Sequence, residues 1–259
     1  MASTVSDDSG SARRLRQAQR GLSRLLVRDV RTLRRLIIPS RPASIPPWIE
    51  AMNAVIAQYG QAAASLAADF YDAERAAAAV PGPPFTVPVP DPPPPEQVES
   101  SLRWATKDLW PRDPDDPATT DAQRQPLAVR VEQAGRKAEA VAQKLVVDQS
   151  RSAVRGAVRR DRQAVGWARS AALGACSFCK LLATRGMVYR QDTVGFQAHD
   201  GCNCGSVPVF RGQRFELSPH AAEWERLYRE YAAPYSGDQL RRFRLALAEH
   251  DSNPLPGSL

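Results

Sequence analysis

Apolar residues return every three or four positions between Ser11 and Ile38, at Leu15, Ala18, Leu22, Leu25, Leu26, Val30, Leu33 and Leu36. One such stripe predicts an amphipathic helix. Its remaining faces carry Arg13, Arg16, Arg20, Arg24, Arg28 and Arg31, followed by Arg34 and Arg35. Pro39, Pro42, Pro46 and Pro47 cannot continue that helix. Pro47 suits the first position of a second one, running from Trp48 to about Ala79 through Met52, Val55, Ile56, Tyr59, Leu66 and Phe70. The two are expected to form a long antiparallel hairpin, with alanine-rich flanks at 62–64 and 76–79 allowing close approach. Trp48, Tyr59, Phe70 and Tyr71 read as core anchors of the pair.

Residues 81–95 (PGPPFTVPVPDPPPP) suit neither a helix nor a central strand and predict an extended, polyproline-like spacer. A short helix is expected from Glu96 to Leu109, then a polar break from Pro111 to Thr120. The longest helix should run from about Asp121 to Arg160. There Leu127, Val131, Ala134, Ala138, Val141 and Leu145 alternate at four and three residues. With alanine at two seam positions, intramolecular packing is expected rather than a free coiled coil. Residues 181–189 read as a short helix, a glycine turn and a strand, and Val207 to Phe210 as another strand. Amphipathic helices follow at His220–Ala232 and Asp238–Glu249. The polar residues 1–10 are expected to be a disordered lead, and 252–259 to be frayed.

The expected fold class is therefore mainly α, a long helical hairpin and further helices with a small α+β module near the C-terminus. The expected divisions are 1–80 (hairpin), 81–120 (linker with short helix), 121–175 (long helix), 176–215 (cysteine module) and 216–259 (C-terminal helices).

Composition changes this picture modestly. Of the 259 residues, 43% are hydrophobic but only 7% aromatic, which favours slender, closely packed helices over a broad core. The net charge of +7, carried mostly by arginine, implies an acidic partner such as nucleic acid or a negative protein surface. The basic faces that would meet it are Arg13, Arg16, Arg20, Arg24, Arg28 and Arg31, with Arg155 and Arg159 on the long helix. A solvated bundle face is the competing reading. No apolar run reaches the length a membrane-spanning helix needs, and the start of the chain lacks the basic and apolar stretches of a signal peptide. An intracellular protein with reduced thiols is the expectation.

That matters because every cysteine falls in one window. Cys176-Ser-Phe-Cys179 is followed by His199-Asp-Gly-Cys202-Asn-Cys204. Five soft or borderline donors exceed by one what tetrahedral zinc needs, and two thiolates two residues apart can close on one ion through a turn. The spacing predicts a structural Zn²⁺ held by four of Cys176, Cys179, His199, Cys202 and Cys204. Disulfides would instead predict scattered cysteines in an exported domain. An enzyme is less well supported. His220 and His250 lie in charged helical contexts with no GxSxG elbow nearby, and neither HExxH nor a glycine-rich phosphate loop occurs. The zinc-deaminase order of histidine, glutamate and paired cysteines is absent too. A cysteine nucleophile beside His199 or a Ser-Lys dyad remains conceivable.

The run GxCxFCxxLAxRGxVY, here Gly174 to Tyr189, together with HxxCxCxxVPVF, here His199 to Phe210, resembles the Mu F-like, or VG15-like, minor head proteins of tailed phages of actinobacteria. The likeness covers roughly Gly166 to Phe210, and more loosely the upstream helices and Glu96 to Ala105. It implies a virion-head protein in the procapsid interior, passing through the host cytoplasm during assembly. Its implied partners are the portal and the capsid or scaffold proteins, with packaged DNA as a further one and no membrane. Head assembly or DNA delivery is the implied role, and the five Cys/His positions match the family's cluster. Relatives are often labelled capsid maturation proteases, which leaves a protease and a DNA-binding head protein as the alternatives to a structural role.

Overall fold

The computed structural model describes residues 3–110, 113, 115–190, 198, 202 and 204–251. The protein is mainly helical, as its periodicity predicts. The described elements are β1 (Ser3–Ser6), α1 (Gly10–Leu33), α2 (Ile45–Ala77), α3 (Pro95–Thr106), α4 (Asp121–Arg124), α5 (Leu127–Arg160), β2 (Ala164–Ser170), α6 (Ser177–Ala183), β3 (Gly205–Phe210), β4 (Gln213–Glu216), α7 (Pro219–Tyr231) and α8 (Gln239–His250). Two compact units share them. The first comprises 1–19, 64–90 and 150–259, the second 20–63 and 91–149. No described helix is long and apolar enough to cross a membrane.

The second unit shows why the hairpin forms. Leu26 and Val30 from α1 meet Trp48, Met52 and Ile56 from α2 in one core, with Ile37 and Ile45 buried at the turn between them. The Tyr59 hydroxyl donates to Asp29 at 2.6 Å, so sequence numbers run in opposite senses along the pair. Helix α3 adds Val98, Leu102 and Ala105, spaced four and three apart along one face, and α5 adds Ala134, Ala138, Val141 and Leu145. From Val131 onward the expected heptad seam is thus consumed inside the chain, while its first member, Leu127, is exposed.

One predicted boundary needs correction. The helix expected to run unbroken from Asp121 to Arg160 is two helices. Thr120 and Gln123 form a reciprocal capping box on the short α4. Gln125 then turns extended, at φ −65° and ψ 156°, because the Pro126 ring excludes the α conformation from the residue before it.

In the first unit, the polar lead is structured over its described residues, 3–10, rather than disordered. Strand β1 pairs in parallel with β4, Val5 opposite Phe215, and Asp7 is fully buried. Ser9 then caps α1, accepting from the Ala12 amide at 3.1 Å while donating to Glu74 at 2.5 Å. Burial raises the Glu74 carboxyl above its usual range, partly offset by that hydroxyl. The proline-rich stretch forms no helix or strand up to Pro94, but it does not hang free: Val87 is buried with Tyr71, Phe210 and Val158 in this unit's core.

Strand β2 runs antiparallel to β3, from Ala164 opposite Phe210 to Ser170 opposite Gly205, with an irregularity at Val165. A third segment closes on its other edge, where the Trp167 amide donates to the Tyr189 carbonyl at 2.8 Å and the two rings stack at 4.1 Å. Gly166 is required there, since a Cβ would sit 2.4 Å from the Tyr189 carbonyl oxygen and 3.0 Å from the Met187 sulfur. Gly166→Ala is expected to cost about 1–3 kcal/mol of stability by forcing that edge apart. Chemical denaturation followed by tryptophan fluorescence checks this, and an unchanged midpoint would refute it.

A buried cluster of thiols

Cys176 is the N-cap of α6, its sulfur accepting from the Cys179 amide at 3.4 Å. The cap places Cys179 one turn further on, which is how a CxxC pair aims two sulfurs at one point. From the other side, Cys202 and Cys204 precede β3. The sulfurs of Cys179, Cys202 and Cys204 all lie within 4.8 Å of one another. All three residues are buried, among Ala171, Ala183, Trp224, Leu227 and Phe243.

Two buried arginines hold the cluster from behind. Arg151, on α5, donates its Nε to the Cys204 carbonyl at 2.9 Å and a terminal nitrogen to the Cys202 carbonyl at 2.6 Å. One planar fork thereby fixes both carbonyls that flank position 203. Arg169, on β2 and 1% exposed, reaches the Cys179 sulfur at 3.7 Å. The sequence singles out neither arginine as part of the cysteine cluster. Neither has a signal in spacing, because the cysteines they serve lie up to 53 residues away.

Cys179 and Cys202 approach to 3.3 Å, too far for a disulfide, and the described cysteines are free. Hydrogen bonding from the Cys179 thiol, then from Cys204, holds the Cys202 thiol well below its ordinary range. Cys179 is driven up, first by its hydrogen bond with Cys176 and then by that with Cys202. The cluster thus favours one thiolate, on Cys202, in a buried site beside the guanidinium groups of Arg151 and Arg169. Tetrahedral zinc with Zn–S bonds of about 2.3 Å sets sulfurs about 3.8 Å apart, a spacing close to that of three sulfurs lying within 4.8 Å of one another, two of them 3.3 Å apart. The donor set suits a soft or borderline cation, not calcium or magnesium. Of the five predicted ligands, Cys179, Cys202 and Cys204 come together and Cys176 adjoins them through α6. His199 lies outside the described residues.

The predicted arginine face divides. Arg13, Arg20, Arg24, Arg28, Arg31 and Arg159 are exposed, whereas Arg16 and Arg155 are half-buried. Arg16 points into the first unit, paired with Asp8 and donating to the Ser170 hydroxyl at 2.5 Å. Arg31 is held in a fork by Glu139 at 2.9 and 3.0 Å.

A serine, a histidine and an aspartate do meet in the first unit, without forming a catalytic relay. Asp7 accepts directly from the Ser218 amide at 2.7 Å and the Ser218 hydroxyl at 2.9 Å. His220 Nε2 lies 3.1 Å from that hydroxyl and 3.7 Å from Asp7, so one ring nitrogen faces both groups. A relay needs the two nitrogens on opposite sides, between acid and nucleophile. Ser218 is instead the N-cap of α7, accepting from the Ala221 amide at 3.3 Å.

Comparison with known proteins gives one finding. A family model described as VG15 protein matches residues 6–231. No curated protein and no solved structure matches the chain.

Proposed function

The chain belongs to the VG15 family, which makes it a bacteriophage protein, and from that premise we propose that it is a minor head protein of the Mu F-like kind. It acts as a structural and interaction component of the procapsid, docked on the portal and engaged in head assembly or DNA delivery. A structural zinc ion staples its C-terminal region. The observation that carries the structural reading is the buried thiol cluster. Its cysteines are buried in one packed core with Trp224, Phe243 and Leu227, where a catalytic ion would need an open coordination position and a route for substrate. Cys179, Cys202 and Cys204 would hold the ion together with Cys176 or His199. Bound there, the ion would neutralise thiolate charge and join α6 to the start of β3. Arg151 and Arg169 orient and balance the thiolates.

Quantitative mass spectrometry on purified procapsids and virions tests the assignment. A few copies per particle, lost from procapsids assembled without the portal, are expected. Absence from both particles would overturn it. Co-expression with the major capsid protein is expected to leave that protein uncleaved.

A further inference from the structure

We infer that a recess at the start of β2 in the first unit is a phosphate-binding site that grips the backbone of duplex DNA. The recess has a volume of about 590 Å³ and is lined by Arg159, Arg160, Arg162, Arg190 and Arg211 with Ala164 and Val165. Three segments converge to make it. Helix α5 ends at Arg160, the turn into β2 carries Arg162, and Arg211 follows directly on β3. Strand pairing of Ala164 with Phe210 brings these together. The Arg211 amide donates to the Gln163 carbonyl at 2.8 Å, and its Nε to the Arg162 carbonyl at 3.0 Å. Arg211 is thus pre-oriented beside Arg162.

Among the described residues, the charge of Arg159, Arg160, Arg162 and Arg211 is not compensated locally. The one acid in the stretch, Asp161, is turned inward, where it accepts from Arg75 at 2.9 Å and the Tyr71 hydroxyl at 3.2 Å. Among the described residues, Arg159, Arg160, Arg162 and Arg211 are all exposed and have no carboxylate within salt-bridge reach. A second arginine-lined recess, along α1 in the other unit, is partly neutralised: Glu139 pairs with Arg31 and Asp29 with Arg28, while Arg24, Arg34 and Arg35 stay exposed and serve as the control for net charge.

Every cation here is arginine, whose planar fork matches phosphate oxygens in pairs. Among the described residues, no aromatic side chain lines the recess, and Val165 is its one exposed apolar residue. A protein-binding patch would be expected to centre on such groups. The phosphate chemistry stands on this geometry alone, and the choice of DNA as its source rests on the phage-head reading above.

The test is fluorescence anisotropy of a fluorescein-labelled 30-base-pair duplex of mixed sequence, titrated with the full chain between 50 and 300 mM KCl. Each phosphate neutralised contributes about −0.9 to the slope of log affinity against log salt. Arg159→Gln/Arg160→Gln/Arg162→Gln is expected to make that slope shallower by about 2–3 and to weaken binding at 100 mM on the order of 100-fold, whatever the sequence. Arg24→Gln/Arg34→Gln/Arg35→Gln removes the same charge elsewhere and is expected to leave the slope unchanged. Should the first variant lose its circular dichroism signal, Arg159→Gln and Arg211→Gln singly are each expected to take about one from the slope. Equal losses in the two triple variants, or no binding at 50 mM, would overturn the inference. So would polyglutamate binding as tightly as DNA, which would hand the recess to an acidic protein. None of these outcomes touches the particle composition that tests the head-protein reading.

Discussion

Cys204→Ser is expected to strip the metal from the purified protein and to lower the melting temperature of its first unit by more than about 10 °C. A hydroxyl is a poor ligand for a soft cation, and at 2% exposure the new group would be buried where a thiol packed. Structural zinc contributes about 10–16 kcal/mol in small domains that cannot fold without it. Here the same residues also sit in an apolar core with Trp224 and Phe243, so a loss of about 5 kcal/mol is the reasonable scale. For a unit of this size each kcal/mol shifts the midpoint by about 2–4 °C. Chelation of the wild-type protein should give the same shift and expose thiols to titration. Because metal needs the thiolates, release should become easier as pH falls and protons compete for sulfur. Hydrogen exchange should show the loss in α6, β3, α7 and α8, while the core of Leu26, Met52 and Leu102 in the other unit keeps its protection. A metal-free preparation with an unchanged melting temperature would sink the site.

The contrast between those two regions also explains what the sequence discloses. Leu26, Val30, Met52 and Ile56 repeat at helical spacing because each helix buries one face, so local periodicity reveals α1 and α2 within a few residues of their ends. The break at Gln125 is equally local, since Pro126 marks it, and the heptad pattern beyond that proline does not carry the helix back across it. Strands β1 and β2 are another matter. Strand β1 has a single buried apolar residue, Val5, and exists because of a partner more than 200 positions away. Strand β2 buries Gly166, Trp167, Ala168, Arg169 and Ser170 in succession. Covered on both faces, it shows no alternation to read. At the site, the donors announce themselves by type and spacing. Arg151 and Arg169 do not, since a buried guanidinium is indistinguishable in sequence from the exposed ones along α1. Exposure, not composition, separates the arginines that brace the cysteines from those that line the recess.

Lys180 carries the second large effect. Its ammonium lies 2.6 Å from Asp251, with side-chain exposures of 0% and 2%. Trp224 joins them, donating its indole N–H to the same carboxylate oxygen at 3.1 Å, while the Lys180 nitrogen stands 4.9 Å over its ring. The group thereby links α6, α7 and the end of α8. Two charges taken this far from water contribute little net stability as a pair, but each depends on the other. Asp251→Ala takes the carboxylate at 2.6 Å away from a buried ammonium, and is expected to cost about 3–5 kcal/mol. Lys180→Met should cost less, because the remaining carboxylate keeps the indole N–H. The double variant Lys180→Met/Asp251→Leu should recover most of the loss, as neither charge is then left to desolvate. A double-mutant cycle in urea measures this directly, and the coupling should exceed about 2 kcal/mol. Additive single losses would show that the two side chains are solvated independently, and that apolar packing of Trp224 and Phe243 alone holds the three helices together.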